Sequence, residues 1–160
     1  AFLASPHHPL MKNAQVSMEM LANSRMLVRE KGSGARASLE KIFKAEGLKL
    51  QIGSELSSNE SIKQMCIAGL APAYLSLQSC ALEIRAGLLA VVPMPNNPLN
   101  RRWFVVHTQS KALSRVASVF MAHLIDQGER EIDQQLQQIS QMPVESLVGW
   151  RIPSLASVLS

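Results

Sequence analysis

Apolar and polar positions switch between two periods along residues 25 to 125, and each switch marks an element. Met26-Leu27-Val28 is an apolar run of strand length, ended by Arg29-Glu30-Lys31. Gly32-Ser33-Gly34 then opens a segment in which Leu39, Ile42 and Phe43 share one face at helical spacing. Gly47 stands where a C-terminal cap would stop that helix, and Leu50-Gln51-Ile52 alternates as a strand does. Ser57-Ser58-Asn59 is a set of N-cap residues, with Ile62, Met65 and Cys66 as the buried stripe behind it and Gly69 at the end. Ala73-Tyr74-Leu75 reads as a strand and Ala81 to Ala86 as a short helix closed by Gly87. Leu88 to Val92 reads as a strand bounded by glycine and proline.

A proline-rich bend, Pro93 to Pro98, leads to the strong β formers Trp103-Phe104-Val105-Val106-His107. Leu113, Ala117, Phe120 and Leu124 predict one more amphipathic helix. Strands alternating with helices predict βαβ crossovers and a mainly parallel sheet. After Asp126 the character changes. Residues 129 to 142 are rich in Gln and Glu, with Ile132, Leu136 and Ile139 on a narrow stripe, so residues 127 to 160 read as a partly helical C-terminal extension.

The chain has 160 residues, 47% apolar and 18% charged, which suits one packed domain with a tail and excludes disordered, collagen-like and disulfide-scaffold classes. The longest stretch without strongly polar residues, Met65 to Leu75, is too short to cross a bilayer. No cationic start precedes an apolar run and a small-residue cleavage site, so no secretory signal is expected. The first residue is Ala1 rather than methionine, as in a processed or excised chain. The net charge of +4 is dispersed, apart from Arg101-Arg102 and the surroundings of Lys31 and Arg36, and forms no dense basic stripe. Cys66 and Cys80 lie among apolar residues outside any C-x-x-C pair, which predicts reduced, buried thiols and a cytoplasmic setting.

Two turns carry candidate chemistry. Gly32-Ser33-Gly34-Ala35-Arg36 joins a strand to a helix N-terminus. Its free N–H groups and helix dipole suit an anion, and Arg36 can add a bidentate clamp. It is neither of the familiar glycine-rich phosphate motifs, and a tight turn with a surface arginine explains it equally. Ser57-Ser58-Asn59 is either a simple cap or a set of hydroxyl, amide and N–H groups turned towards a small anion. No catalytic set appears. Cys66 falls on an apolar stripe and His107 at a strand end, Glu129 and Glu131 read as solvated charge, and His7-His8 lacks a third metal ligand. No metal and no cofactor is expected, and Trp103 and Phe104 read as core rather than as a cofactor platform.

An ordered series of blocks resembles the C-terminal effector domain of LysR-type transcriptional regulators. The blocks are Ser5-Pro6-His7-His8-Pro9-Leu10, Arg29 to Arg36, and Ser58 to Gln64 followed by Ala68-Gly69-Leu70. The series closes on Leu99-Asn100-Arg101-Arg102-Trp103-Phe104-Val105-Val106 and spans about residues 1 to 125. The Gly-Ser-Gly turn, the Ser-Asn-Glu helix start and the Arg-Trp-Phe-Val-Val strand are most similar to regulators of the RuBisCO (Calvin-cycle) operon. The resemblance implies two α/β lobes around a cleft, as in type 2 periplasmic binding proteins, with the first lobe incomplete. Residues 24 to 93 would form the second lobe, and 1 to 23 with 94 to 126 pieces of the first. Ser57, Ser58 and Asn59, with Gly32, Ser33 and Arg36, would then contact a small anionic metabolite, a phosphorylated compound or a nicotinamide nucleotide. DNA would be bound only through an N-terminal domain preceding Ala1, in a homo-oligomer, with no membrane partner. The sequence departs from the family at Ala35, where Thr is common, and at Ala71-Pro72, where Gly-Ile or Gly-Val usually follows Gly-Leu. A solute-binding protein of the same fold, or a small α/β enzyme using Cys66 or His107, are the competing readings.

Overall fold

Met26, Leu27 and Val28 are at most 1% exposed and form the axis of the sheet, as the apolar run predicts. The computed structural model describes residues 1 to 99 and 104 to 140, and these fall into two units, 1 to 99 and 104 to 140. In the first unit, strand β1 (Phe2–Ala4) precedes a 3-10 turn (Pro9–Lys12) and helix α1 (Met18–Ala22). Strand β2 (Met26–Arg29), helix α2 (Gly34–Ala45), strand β3 (Ile52–Leu56) and helix α3 (Asn59–Ile67) follow. Strand β4 (Ala73–Tyr74), helix α4 (Ala81–Arg85) and strand β5 (Ala90–Val91) complete it.

The five strands make one sheet in the order β3-β2-β4-β1-β5. β2 is parallel to β3 and to β4, whereas β1 is antiparallel to both β4 and β5. The sheet is therefore mixed, not mainly parallel. β1 is three buried residues, Phe-Leu-Ala, with no alternation to announce a strand. β1 lies hydrogen-bonded between β4 and β5, inside the sheet built by residues 24 to 93.

Strand alternation sends Phe2 and Val28 to one face, where Leu21, Leu39, Phe43 and Tyr74 join them in a single cluster. The rings of Phe2 and Tyr74 meet tilted at 5.0 Å between centroids. Leu3 and Leu27, one residue out of phase, belong to the other face. There α3 lies against β1, β2 and β4, and its Ile62 and Cys66 are buried. Burial of each such large side chain contributes about 1.5–3 kcal/mol relative to exposure.

The glycines predicted to stop helices do so through left-handed backbone. At Gly47 φ is +66°, with Gly47 N–H bonded to Lys44 O and Leu48 N–H to Phe43 O, the paired bonds of a Schellman cap. Gly69 closes α3 in the same way, with φ +76° and bonds to Cys66 O and Met65 O.

Three expected strands shift. The one placed at Leu50-Gln51-Ile52 runs instead from Ile52 to Leu56, because Leu50 packs on the core from the loop while the strand proper is an edge with little apolar signal. The strand expected over Leu88 to Val92 is confined to Ala90–Val91. At Trp103 to His107, Trp103 lies outside the described residues, and Phe104 to His107 form no ladder, with Phe104 76% exposed. β propensity needs a neighbouring strand to act on, and none pairs here among the described residues. The helix expected from Leu113 to Leu124 begins at Arg115, leaving Leu113 ahead of it, and belongs to helix α5 (Arg115–Ser140), which continues through the polar segment without a break at Asp126.

His8 supplies a pH prediction. Its ring Nδ1 accepts from Leu10 N–H at 3.2 Å at the start of the 3-10 turn, and burial lowers its pKa. A lowered folded value means the unfolded chain takes up the proton first, so stability falls as pH drops through the ordinary histidine range near 6.5. Melting temperatures between pH 7.5 and 5.5 should show this fall, and His8→Asn should flatten it. An unchanged slope in the variant would assign the effect elsewhere.

Candidate functional site

The two turns singled out in the sequence meet at one end of the sheet. β2 and β3 run parallel with Arg29 opposite Leu56, and each gives way at its carboxyl end to the start of a helix. Glu30 N–H donates to Leu56 O at 3.1 Å, which laces the two chain exits together. The carboxyl ends of adjacent parallel strands are where open α/β sheets present N–H groups and helix dipoles to a ligand.

Gly32 makes the first turn with φ +93° and is exposed. Ser33 is the N-cap of α2, and its side chain makes no capping bond. In the second turn Ser57 is exposed. Ser58 caps α3, its Oγ accepting from Ser61 N–H at a long 3.4 Å. Asn59 turns back towards the first turn: its Oδ1 accepts from Arg29 Nη1 at 2.5 Å.

Arg36 occupies a different role from the expected outward clamp. Its side chain is 4% exposed, with Nε on Glu40 at 2.6 Å and Nη1 on both Glu55 at 3.1 Å and Arg29 O at 3.2 Å. One turn along α2 brings Glu40 beside it, and the edge strand presents Glu55 from the other side. These three contacts hold the guanidinium against the β2–β3 pair.

Sequence reasoning passed over Arg29 and Glu30, which read only as charges ending a strand. Arg29 grips Glu30 through Nε at 2.7 Å and Nη2 at 2.9 Å, and its third contact is Asn59. Hydrogen bonding from Arg29 lowers the Glu30 carboxyl pKa, and the same bonds raise that of Arg29. The signal available was the position of two opposite charges at the end of a buried strand. Asn97 was also passed over. It is 9% exposed and fixes the start of β1 to the residues after β5, with Oδ1 accepting from Phe2 N–H at 2.9 Å.

A second polar cluster lies between α3 and α4. Lys63 Nζ reaches Glu83 at 2.6 Å and Glu60 at 2.8 Å, and both bonds raise its pKa. It cross-links two helices.

Cys66 is 1% exposed, its Sγ lies 3.6 Å from Leu3 O, and burial pushes its thiol up to about 12, the reverse of what a nucleophile needs. His107 and His123 are exposed. Among the described residues no group of His, Cys, Asp or Glu could hold a metal ion, and no helix is long and apolar enough to cross a membrane.

The LysR substrate binding domain family matches residues 1 to 129. The chain belongs to that family. The LysR domain described here is 42% identical over 127 residues to the HTH-type transcriptional activator CmpR of a Synechocystis strain, an alignment covering 79% of this chain and 42% of that protein. It is 36% identical over 130 residues to the HTH-type transcriptional regulator CbbR of Sinorhizobium medicae, covering 81% and 42%. The chain thus spans well under half the length of these relatives. Among solved structures it is similar to the Synechocystis CcmR regulatory domain in complex with 2-PG, at 29% identity and TM-score 0.71, covering 78% of this chain and 60% of that one. The α/β fold and the likeness to RuBisCO-operon regulators expected from the sequence are both met, since a relative from Allochromatium vinosum carries that description. The family match and these relatives, all named as transcriptional regulators, give no support to the solute-transport and enzyme readings.

Proposed function

We propose that this LysR domain senses a small anionic metabolite at the carboxyl ends of β2 and β3, within a cytoplasmic regulator whose DNA-binding part lies outside this chain. The observation that carries the reading is the convergence of two helix starts, at Ser33 and Ser58, joined by the Arg29–Asn59 bond. Gly32, Ser33, Ser57, Ser58 and Asn59 contribute backbone N–H and side-chain polar groups. The uncommitted Ser33 hydroxyl and the exposed Ser57 hydroxyl are its first contacts, and Arg36 acts through the turn it braces. A related regulatory domain was solved with 2-PG, and that compound is the probe of choice.

The test is an amide NMR titration of this chain with 2-PG. Shifts concentrated at residues 32 to 35 and 57 to 61, and weakened about tenfold in apparent affinity by Asn59→Ala, are the expected result. Absence of shifts there at millimolar 2-PG, or shifts centred elsewhere in the chain, would overturn the assignment. Ser58→Ala is less informative, because loss of a cap costs about 1 kcal/mol by itself.

A further inference from the structure

Resting on the effector reading, we propose that Arg29 grips the incoming anion and that Glu30 is a resident occupant which the anion displaces.

The starting observation is the geometry of the Arg29–Glu30 pair. Nε reaches one carboxylate oxygen of Glu30 at 2.7 Å, and Nη2 reaches the other at 2.9 Å. Paired N–H bonds to two oxygens of one group are the contact an arginine fork makes with a carboxylate or a phosphoryl group. Glu30 therefore fills the anion-binding edge of Arg29 with the same chemistry that an oxyanion ligand brings. The remaining contact, Nη1 to Asn59 Oδ1 at 2.5 Å, holds the guanidinium at the start of α3.

The clamp expected at Arg36 thus has its geometry at Arg29 instead. Arg36 is 4% exposed, and its bonds to Glu40, Glu55 and Arg29 O commit it inward. Arg29 keeps 21% of its side-chain surface in water, and Glu30 keeps 38%. Both are open to a solute.

Glu30 is also held so that its side chain can let go. Its N–H donates to Leu56 O at 3.1 Å, and its carbonyl accepts from Ser33 N–H at 3.2 Å. The backbone is fixed from both sides, so the carboxylate can rotate away into water while the turn keeps its shape. An ion pair with this much exposure is weak, and a better-placed anion displaces it. Until then the occupant lowers the apparent affinity for any anion by the fraction of time that it fills the fork. Its charge also repels an approaching anion from inside the site. Arg29 supplies the grip, and Glu30 sets the concentration at which the domain responds.

The experiment is an NMR titration of the 160-residue chain with 2-PG, reading the Arg29 Nε–H resonance together with the backbone amides. In the wild type that resonance should move along with the amides of residues 32 to 35. Glu30→Gln keeps the length of the side chain and removes its charge, and should tighten binding about five- to tenfold. Arg29→Gln should weaken binding about tenfold or more. Arg29→Lys should recover only part of that loss, because an ammonium lacks the fork. In the Arg29→Gln background, Glu30→Gln should gain less than about twofold, since the occupant has lost its partner. The Glu30→Gln measurement leaves Arg29 and its bond to Asn59 in place, so it decides the matter even where Arg29 variants lose stability. Binding at the two turns that Glu30→Gln leaves unchanged or weakens would overturn the displacement of Glu30 while the effector reading stands. An Arg29 Nε–H resonance that stays still at saturation would likewise overturn the grip of Arg29. Absence of a response at either turn, in both wild type and Glu30→Gln, would overturn this proposal and the effector reading together.

Discussion

Replacing Asn97 by alanine lowers the stability of the unit formed by residues 1 to 99 by about 3 kcal/mol, because it removes three buried hydrogen bonds to the backbone at once. The side chain serves both ends of the segment it joins. Oδ1 accepts from Phe2 N–H at 2.9 Å, while Nδ2 donates to Phe2 O at 3.1 Å and Val92 O at 2.8 Å. Only this orientation of the amide satisfies one N–H donor and two carbonyl acceptors. Phe2 O keeps a second donor in Val92 N–H, so the largest loss falls on Phe2 N–H, buried with a residue that is 1% exposed. Asn97→Asp tests the account more finely. An aspartate can still accept from Phe2 N–H, but its charge faces two carbonyl oxygens, so the variant should be less stable than wild type at neutral pH and recover on acidification. Urea unfolding at pH 7 and pH 4, referenced to wild type at each pH, reads both effects. Equal midpoints for wild type and Asn97→Ala would show that the three bonds contribute nothing net.

Asn97 also shows where the sequence stops being legible. It sits in a polar, proline-rich bend that announces a turn, and nothing in local pattern reveals that its amide reaches 95 residues back to Phe2. Helices fared better. α2 and α3 were readable because helical period and glycine stop agree along each, and the Ser58 cap of α3 and both Schellman closures are local events. The strands were readable when apolar and buried, as at β2. They were not when short and unpatterned, as at β1, or solvated at an edge, as at β3.

The apolar stripe read at Leu113, Ala117, Phe120 and Leu124 correctly signals a helix, yet period alone does not tell which face is covered, and Phe120 stays exposed. For the candidate site, turn chemistry named two segments, Gly32 to Arg36 and Ser57 to Asn59, that the fold brings to one end of the sheet. It did not name the Arg29–Asn59 bond between them, because residue types thirty positions apart meet only through the parallel pairing of β2 and β3.

Arg36→Ala separates a bracing role from a direct one. The guanidinium is almost fully covered, so alanine removes the packing of a long stem and one donor to Arg29 O, at a cost of about 2 kcal/mol. The two carboxylates left behind are not stranded, since Glu40 and Glu55 keep 52% and 42% of their side-chain surface in water. That exposure is why the expected loss stays below that of breaking a fully buried ion pair. Arg36→Lys should recover only part of it, because one ammonium cannot reach Glu40, Glu55 and the Arg29 carbonyl in the geometry that a planar fork allows. With 2-PG as probe, the alanine variant should still shift the amides of residues 57 to 61, with affinity reduced only a few-fold as the Gly32 turn loosens. Thermal unfolding and the NMR titration on the same variant decide the matter. Unchanged stability together with complete loss of the 2-PG response would make Arg36 a direct ligand that leaves its inward bonds when the anion arrives.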